Sequence, residues 1–138
     1  MSGIVYNMKE KSDISNIEDI QLLVDIFYGK VRQDGLLADI FNCVIQDRWP
    51  EHLEKMYRFW QTVLLDEHTY YGSPFSPHAR LPVGRQHFER WKKLFSETVD
   101  QHFSGKKADE AKWRAERMAE LFLQKIEYYR ANQTKPLV

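Results

Sequence analysis

Apolar side chains recur every three or four positions in five separate stretches of the chain, and this spacing predicts amphipathic helices. The first stretch is "SNIEDIQLLVDIFYGKV". It opens with Ser15 and Glu18, a spacing that predicts a capping box. Gly35, in "QDGLL", is predicted to end this helix in the left-handed conformation. The predicted buried face consists of Ile17, Ile20, Val24, Phe27 and Val31.

The next two stretches predict a short helix followed by a longer one. "LLADIFNCVI" is expected to bury Leu37, Ile40, Phe41 and Val44. "RWPEHLEKMYRFWQTVLL" carries Pro50 near its start, where proline is tolerated in the first helical turn. Its predicted inward-facing residues are Leu53, Met56, Tyr57, Trp60, Val63 and Leu64.

Two further helices complete the pattern. "RQHFERWKKLFSETVDQHF" is predicted to bury Phe88, Trp91, Phe95 and Phe103, and "ADEAKWRAERMAELFLQKIEYYR" is predicted to bury Ala111, Ala115, Met118, Phe122, Ile126 and Tyr129. No strand pattern and no internal repeat accompany them. The chain therefore reads as one all-α domain over residues 1–138, with frayed tails at about 1–12 and 131–138. Its 138 residues suffice for one core.

The segment between the third and fourth helices, from about Asp66 to Gly84, is the exception. Within it, "YYGSPFSPHARLPVG" carries three prolines, two glycines and His78, and predicts neither helix nor strand. A structureless segment of this length is uncommon in a compact domain unless it is functional. Aromatic residues make up 14% of the chain. Together these features suggest a flat apolar cofactor between helices, such as haem, which needs one axial imidazole. From the loop alone, a solvated histidine is an equal alternative.

Composition narrows the class of protein further. Equal numbers of basic and acidic residues give a net charge of zero, so no electrostatic footprint favours nucleic acid or an anionic membrane. Cys43 is the single cysteine, which excludes an intrachain disulfide and fits a reducing compartment. The start of the sequence lacks a signal-peptide pattern, and no apolar run approaches the roughly 20 residues needed to span a bilayer. We expect a soluble, cytoplasmic protein, monomeric by default.

Five motifs in order carry a family resemblance: "IFYGKV", "IFN", "WPEHLEKMYRFW", "YYGSPFSPHARLP" and "FERWKKLF". Over about Ile14 to Tyr129 the sequence resembles the truncated haemoglobins, specifically their third group. The lack of Gly-Gly pairs agrees with that group. The resemblance implies an all-α, two-on-two globin fold, a helical sandwich around haem b, and binding of the diatomic gases O2, NO and CO.

The resemblance also implies roles for individual residues. His78 matches the proximal iron ligand, and Tyr28, His52 and Trp91 match the distal, ligand-binding residues. A hydrogen bond from the Tyr28 hydroxyl to bound dioxygen would be worth roughly 1.5–3 kcal/mol. The residues alone leave other interpretations open. Tyr28 could be a core tyrosine bonded to a carbonyl, His52 an exposed first-turn residue, and Trp91 ordinary core packing.

The remaining expectations concern the edges of the cofactor and the other histidines. By resemblance, the apolar contacts to the haem are Phe27, Phe41, Met56, Phe59 and Trp60. Tyr71 and Arg80 are candidates for contacts with the haem propionates, because arginine pairs well with carboxylates. His68, His87 and His102 are expected at the surface, although His87 could reach a propionate. Cys43 is expected to be a small core or boundary residue.

Three functions remain open at this point. The first is binding of O2 and related gases for oxygen scavenging, transport, storage or sensing. The second is an enzyme that uses the haem for NO dioxygenation or peroxidase-like chemistry, with an external reductase as partner. The third disregards the resemblance and takes the chain as a helical interaction module without a cofactor.

Overall fold

The computed structural model describes residues 10–132 of the chain. Within that range the regular structure is helical, in agreement with the predicted all-α class. One 3-10 turn, Ser76–His78, lies in the proline-rich loop, where no helical structure was predicted. The five helices, in chain order, are α1 (Ile17–Val31), α2 (Ala38–Ile45), α3 (Trp49–Leu65), α4 (Arg85–His102) and α5 (Lys106–Ala131).

Four of the five helices, α1, α3, α4 and α5, pack against one another. Helix α1 packs on both α3 and α4, and α4 packs along α5, which also touches α3. The buried face of α5 is rich in alanine, with Ala108, Ala111, Ala115 and Ala119 all buried. Small side chains let two helix backbones approach closely, which fits the extensive packing of α4 along α5.

The start of α1 differs from the prediction by one residue. Asn16, not Ser15, is the N-cap, and its Oδ1 accepts a hydrogen bond from the Asp19 amide at 2.9 Å. Asp19, not Glu18, receives the bonds from Ser15, from both its amide and its hydroxyl. Serine and asparagine cap helices about equally well, so local propensity did not decide between the two registers.

The end of α1 also corrects the sequence analysis. The helix stops at Val31, and Gly35 has no left-handed conformation. Instead Asp34 closes the turn, because its Oδ2 accepts hydrogen bonds from the amides of Leu36 and Leu37, both at 3.0 Å. Its Oδ1 lies 2.7 Å from Nη1 of Arg90 on α4. A side-chain cap and an ion pair thus take the place of the glycine.

The buried face of α2 differs from the predicted one at the C-terminal end of the helix, whereas Leu37 is buried and Phe41 packs against the core as predicted. Val44 is 42% exposed, whereas Ile45 is buried. Cys43 is exposed rather than in the core or at its boundary. Because α2 is only eight residues long, its face is set by the turns at its two ends. A one-residue rotation therefore exchanges Val44 for Ile45.

The segment before α1 is attached to the corner between α4 and α5. Asp13 caps α5: its Oδ2 accepts from the Lys107 amide at 2.9 Å, and its Oδ1 accepts from the Ala108 amide at 2.8 Å. Gly105, at φ +143°, makes room for this contact, since a Cβ there would lie 2.5 Å from Cγ of Asp13. The predicted frayed tails fall mostly outside the described residues, and Ala131 belongs to α5.

A lysine on α4 connects this helix to α5. Lys92 on α4 lies 2.9 Å from Glu116 and 3.0 Å from Glu120 on α5, and 3.0 Å from Glu89 on its own helix. Its side chain is only 11% exposed, which strengthens these pairs relative to fully solvated ones. None of the helices between residues 10 and 132 is long and apolar enough to cross a membrane.

Candidate cofactor site

The proline-rich loop holds the ring of His78 in a defined orientation. The His78 amide donates to the carbonyl of Phe75 at 2.7 Å and closes the 3-10 turn. Nδ1 of the ring lies 2.8 Å from the carbonyl oxygen of Pro74. A carbonyl only accepts, so Nδ1 carries the proton and donates. The lone pair of Nε2 is therefore free to bind a metal, as in histidine ligands oriented by a backbone carbonyl.

Aromatic packing fastens this loop to α5. The His78 ring lies 4.9 Å from the ring of Phe122, centroid to centroid. Phe75, three residues before His78, contacts both Phe122 at 5.4 Å and Tyr129 at 6.0 Å. Burial lowers the pKa of His78 despite the hydrogen bonds that favour its charged form. The imidazole is thereby kept neutral, which is the form that ligates metals.

Tyr28 lies on α1 and is buried. Its ring touches His52 at 5.1 Å, Trp49 at 5.9 Å and Phe41 at 6.1 Å. Burial raises the pKa of Tyr28 well above the ordinary value. The hydroxyl therefore keeps its proton over the physiological pH range and is able to donate a hydrogen bond.

His52, in the first turns of α3, is half-buried and faces the same region. Its Nε2 atom is buried and has no hydrogen-bond partner among the described residues. Burial, followed by the charge of His78 and then that of Lys55, lowers the pKa of His52 to about 4. His52 lies on α3, whereas His78 lies in the proline-rich loop. A buried polar atom without a partner costs about 1–3 kcal/mol, so Nε2 of His52 is an atom that an ordered water or a ligand can satisfy.

Phe27 connects Tyr28 to the aromatic residues of α4. Phe27 is buried and contacts the rings of Tyr28, Trp91 and Phe95 at 4.8, 5.4 and 5.2 Å. Trp91 is half-buried and stacks on Phe95, with ring planes inclined by 7°. The described contacts of the Trp91 ring are therefore aromatic, and its role as a distal, ligand-binding residue remains a prediction.

Of the other residues that were predicted to contact the haem, some lie in the interior and some at the surface. Trp60 is buried and stacks on Phe95 at 5.0 Å, and Phe59 packs edge-on against Trp60 at 5.3 Å. Met56 and Phe41 are half-buried against the core. Tyr71 is 84% exposed, and its hydroxyl donates to the carbonyl of His68. Arg80 is also exposed on the loop.

The three other histidines have different surroundings. His68 and His102 are exposed, as predicted. His87 is half-buried, and its Nδ1 accepts a hydrogen bond from the Gly84 amide at 2.9 Å. It thus caps the start of α4 instead of lying freely at the surface. Within residues 10–132, no three histidine, cysteine, aspartate or glutamate side chains are grouped so that they could hold a metal ion.

Two aromatic residues lie next to the site without having been predicted there. Trp49, the first residue of α3, is buried against both Tyr28 and His52. Its spacing of three residues from His52 was the signal, since such residues share a helix face. Phe122 was predicted as core, but its contact with His78 joins residues 44 positions apart, and no local pattern indicates it.

The chain is similar in sequence and in structure to known globins. A family model described as "Bacterial-like globin" matches residues 13–124. The group 3 truncated hemoglobin ctb of Campylobacter jejuni is 42% identical over 94 residues, which cover 65% of this chain and 74% of that protein. The crystal structure of a group III truncated hemoglobin from Campylobacter jejuni superimposes with a TM-score of 0.77 at 36% identity. It covers 85% of this chain and 95% of the other.

Proposed function

We propose that this chain holds haem b through His78, because it belongs to the bacterial-like globin family and is a group III truncated haemoglobin. Membership of this family implies haem-based gas binding. The haem would supply an iron that binds a diatomic gas such as O2, NO or CO, and His78 would hold that iron. The biological role we propose is binding and scavenging of oxygen.

One observation carries this proposal: His78 and His52, on two different elements, each leave the Nε2 atom of the imidazole without a hydrogen-bond partner among the described residues. Nδ1 of His78 is engaged by Pro74, which leaves Nε2 for the iron. Nε2 of His52 is buried without a partner among residues 10–132, and the charge of His78 is among the causes that lower its pKa. Two neutral imidazoles arranged in this way fit a proximal and a distal position.

The surroundings of Tyr28 support tight holding of oxygen. Bound dioxygen carries partial negative charge, so a donor beside it is favoured. Burial keeps the Tyr28 hydroxyl protonated, and His52 lies next to it. Hydrogen bonds to charged acceptors contribute roughly 1.5–3 kcal/mol. Tight holding favours scavenging over delivery, because a delivered gas must be released quickly.

The same donors support a second candidate, an enzyme. NO dioxygenation combines NO, O2 and one electron into nitrate, and peroxidase-like chemistry reduces peroxide to two waters with two electrons and two protons. His52 is neutral at pH 7, since its pKa is lowered to about 4, and a neutral imidazole is able to accept a proton and return it. Both reactions would need an external reductase.

We also propose a cytoplasmic monomer with no nucleic-acid partner. The support is compositional: a net charge of zero and a single cysteine. The residues that we propose as apolar contacts of the haem are all buried or half-buried: Phe27, Phe41, Met56, Phe59 and Trp60. Tyr71 and Arg80 remain candidates for the propionates because the loop exposes them.

The decisive experiment is the optical spectrum of the purified protein in its ferric, ferrous and CO-bound states. We expect a Soret band that shifts when CO is added. A colourless protein that also fails to take up added haemin would overturn the proposal and favour a module without a cofactor. Stopped-flow mixing of the oxygenated form with NO, and of the ferric form with peroxide, separates the two candidates, since slow reaction in both leaves gas binding.

A further inference from the structure

Trp49 is held firmly at the start of α3. Its ring is buried, and the indole Nε1–H donates to Oδ1 of Asn42 on α2 at 3.1 Å. The guanidinium of Arg32, just past the end of α1, lies 4.5 Å from the ring centroid, within the range of a cation–π contact. Trp49 is therefore attached to the elements before it by two polar contacts in addition to its packing.

His52 follows three residues later and packs edge-on between two aromatic rings. Its centroid lies 5.6 Å from Trp49 with ring planes at 88°, and 5.1 Å from Tyr28 with ring planes at 89°. Trp49 and Tyr28 also touch each other at 5.9 Å. Perpendicular contacts of this kind are the favoured geometry of aromatic pairs.

Packing, rather than hydrogen bonding, accounts for the inward position of this edge of the His52 ring. Nε2 has no hydrogen-bond partner among the described residues, so no polar contact at that atom opposes outward rotation. Rotation toward solvent would have to break the edge-on contacts with Tyr28 and Trp49. Of these two neighbours, Tyr28 is assigned to the ligand, whereas Trp49 has no role in the function proposed above.

We propose that Trp49 is a positioning residue of the distal site: it holds the His52 ring inward against Tyr28 and so sets how often that ring blocks access of the gas. The inference rests on the proposed gas-binding function. An aromatic pair of this kind changes an open–closed equilibrium by roughly 2- to 12-fold. Arg32 and Asn42 act indirectly, by keeping the Trp49 ring in place.

The test is a double-mutant cycle read by the association rate of CO after flash photolysis of the haem-bound protein. Trp49→Leu should raise the rate roughly 2- to 12-fold, because His52 spends less time inward. In the His52→Leu background the same substitution should have no effect, since the group on which Trp49 acts is gone. Trp113→Leu, which changes a tryptophan 56% exposed on α5, is the matched control and should leave the rate unchanged.

Each outcome is decisive. An equal effect of Trp49→Leu in both backgrounds would mean that Trp49 shapes the pocket without acting through His52, and no effect in either would also overturn the inference. If Trp49→Leu does not retain haem, Arg32→Ala and Asn42→Ala decide, with an expected smaller rise that vanishes with His52→Leu. A wild-type protein that binds no CO would instead overturn the proposed function itself.

Discussion

The imidazole of His78 lies against the ring of Phe122, with the two centroids 4.9 Å apart and the ring planes inclined by 42°. The loop that carries His78 has only a 3-10 turn of its own, whereas Phe122 is buried on the longest helix. The contact therefore restricts the position of the His78 ring, although His78 lies in a loop. Precise placement of a metal ligand depends on such supporting contacts.

Replacing Phe122 should loosen the proposed haem more than it loosens the fold. Phe122→Leu keeps most of the apolar volume but removes the ring against His78, so haem dissociation should accelerate roughly 2- to 12-fold. The measurement is transfer of haem to an excess of apomyoglobin. Phe103→Leu makes the same change at a buried site by the α4–α5 corner and should leave the transfer rate near wild type. Equal rates in both variants would contradict the supporting role of Phe122.

His78→Ala should lower both haem retention and thermal stability. A cofactor bound only by the folded state stabilises it by about 2.7 kcal/mol when its concentration is 100 times Kd. For a chain of this size, about 1 kcal/mol corresponds to roughly 3–4 °C in Tm. Soret absorbance per protein and Tm are the measurements, and free imidazole should restore part of the spectrum. His102→Ala, at an exposed position, is the control. A native Soret band with unchanged Tm would show that His78 is not the ligand.

Tyr28→Phe should speed the release of O2. Loss of a hydrogen bond worth roughly 1.5–3 kcal/mol corresponds to dissociation about 10- to 100-fold faster. Stopped-flow displacement of O2 by CO measures this rate. The control is Tyr128→Phe, which removes a hydroxyl from a tyrosine 51% exposed on α5. A release rate that is already fast in wild type and unchanged in Tyr28→Phe would remove the argument for tight binding.

Asp13→Ala should destabilise the fold by removing the cap of α5. The Asp13 carboxylate accepts hydrogen bonds from the amides of Ile14, Lys107 and Ala108, and loss of an N-cap costs about 0.5–2 kcal/mol. Asp109→Ala, in the first turn of the same helix but with an 80% exposed side chain, controls for simple loss of charge. Denaturant midpoints at constant m-value provide the comparison, and equal midpoints for the two variants would argue against the cap.

The pair Asp34–Arg90 should make stability depend on acid pH. Burial tends to raise the pKa of Asp34, but the hydrogen bonds from Arg90, Leu36 and Leu37 outweigh it and lower that pKa. The unfolded chain then binds the proton more readily. The stabilisation is therefore present above the unfolded pKa of about 3.9 and is lost as the pH falls through the lower, folded-state pKa.

Asp34→Asn tests this dependence directly. The side chain of Asp34 is 11% exposed, but that of Arg90 is 40% exposed, so solvent screening reduces the cost at pH 7 to about 1 kcal/mol. The difference from wild type should shrink toward pH 3. Glu54→Gln breaks the exposed pair with Arg58 and should change unfolding free energy by less than about 0.5 kcal/mol. A difference that does not vary between pH 7 and pH 3 would exclude the charge of Asp34 as its cause.

The sequence by itself determined the five helices, the four segments that join them and the position of His78 in the proline-rich segment between α3 and α4. Periodicity is a local property, and apolar residues repeated every three or four positions predict an amphipathic helix whatever the helix packs against. Proline and glycine act locally as well, which is why the loop around His78 was predicted. The family motifs are local sequence too, so the globin fold followed from them.

Only the tertiary structure decided which side chains meet. Asp13 caps a helix that begins more than 90 residues later, Phe122 lies against His78, and Trp49 joins Tyr28 and His52. Two local choices were also not determined by the sequence pattern: Asn16 rather than Ser15 is the cap, and Ile45 rather than Val44 lies in the core. These pairs of alternatives have nearly equal local propensities, so periodicity and capping rules do not separate them. Contacts between elements distant in sequence are likewise absent from those rules, because periodicity and capping describe only residues that are close together along the chain.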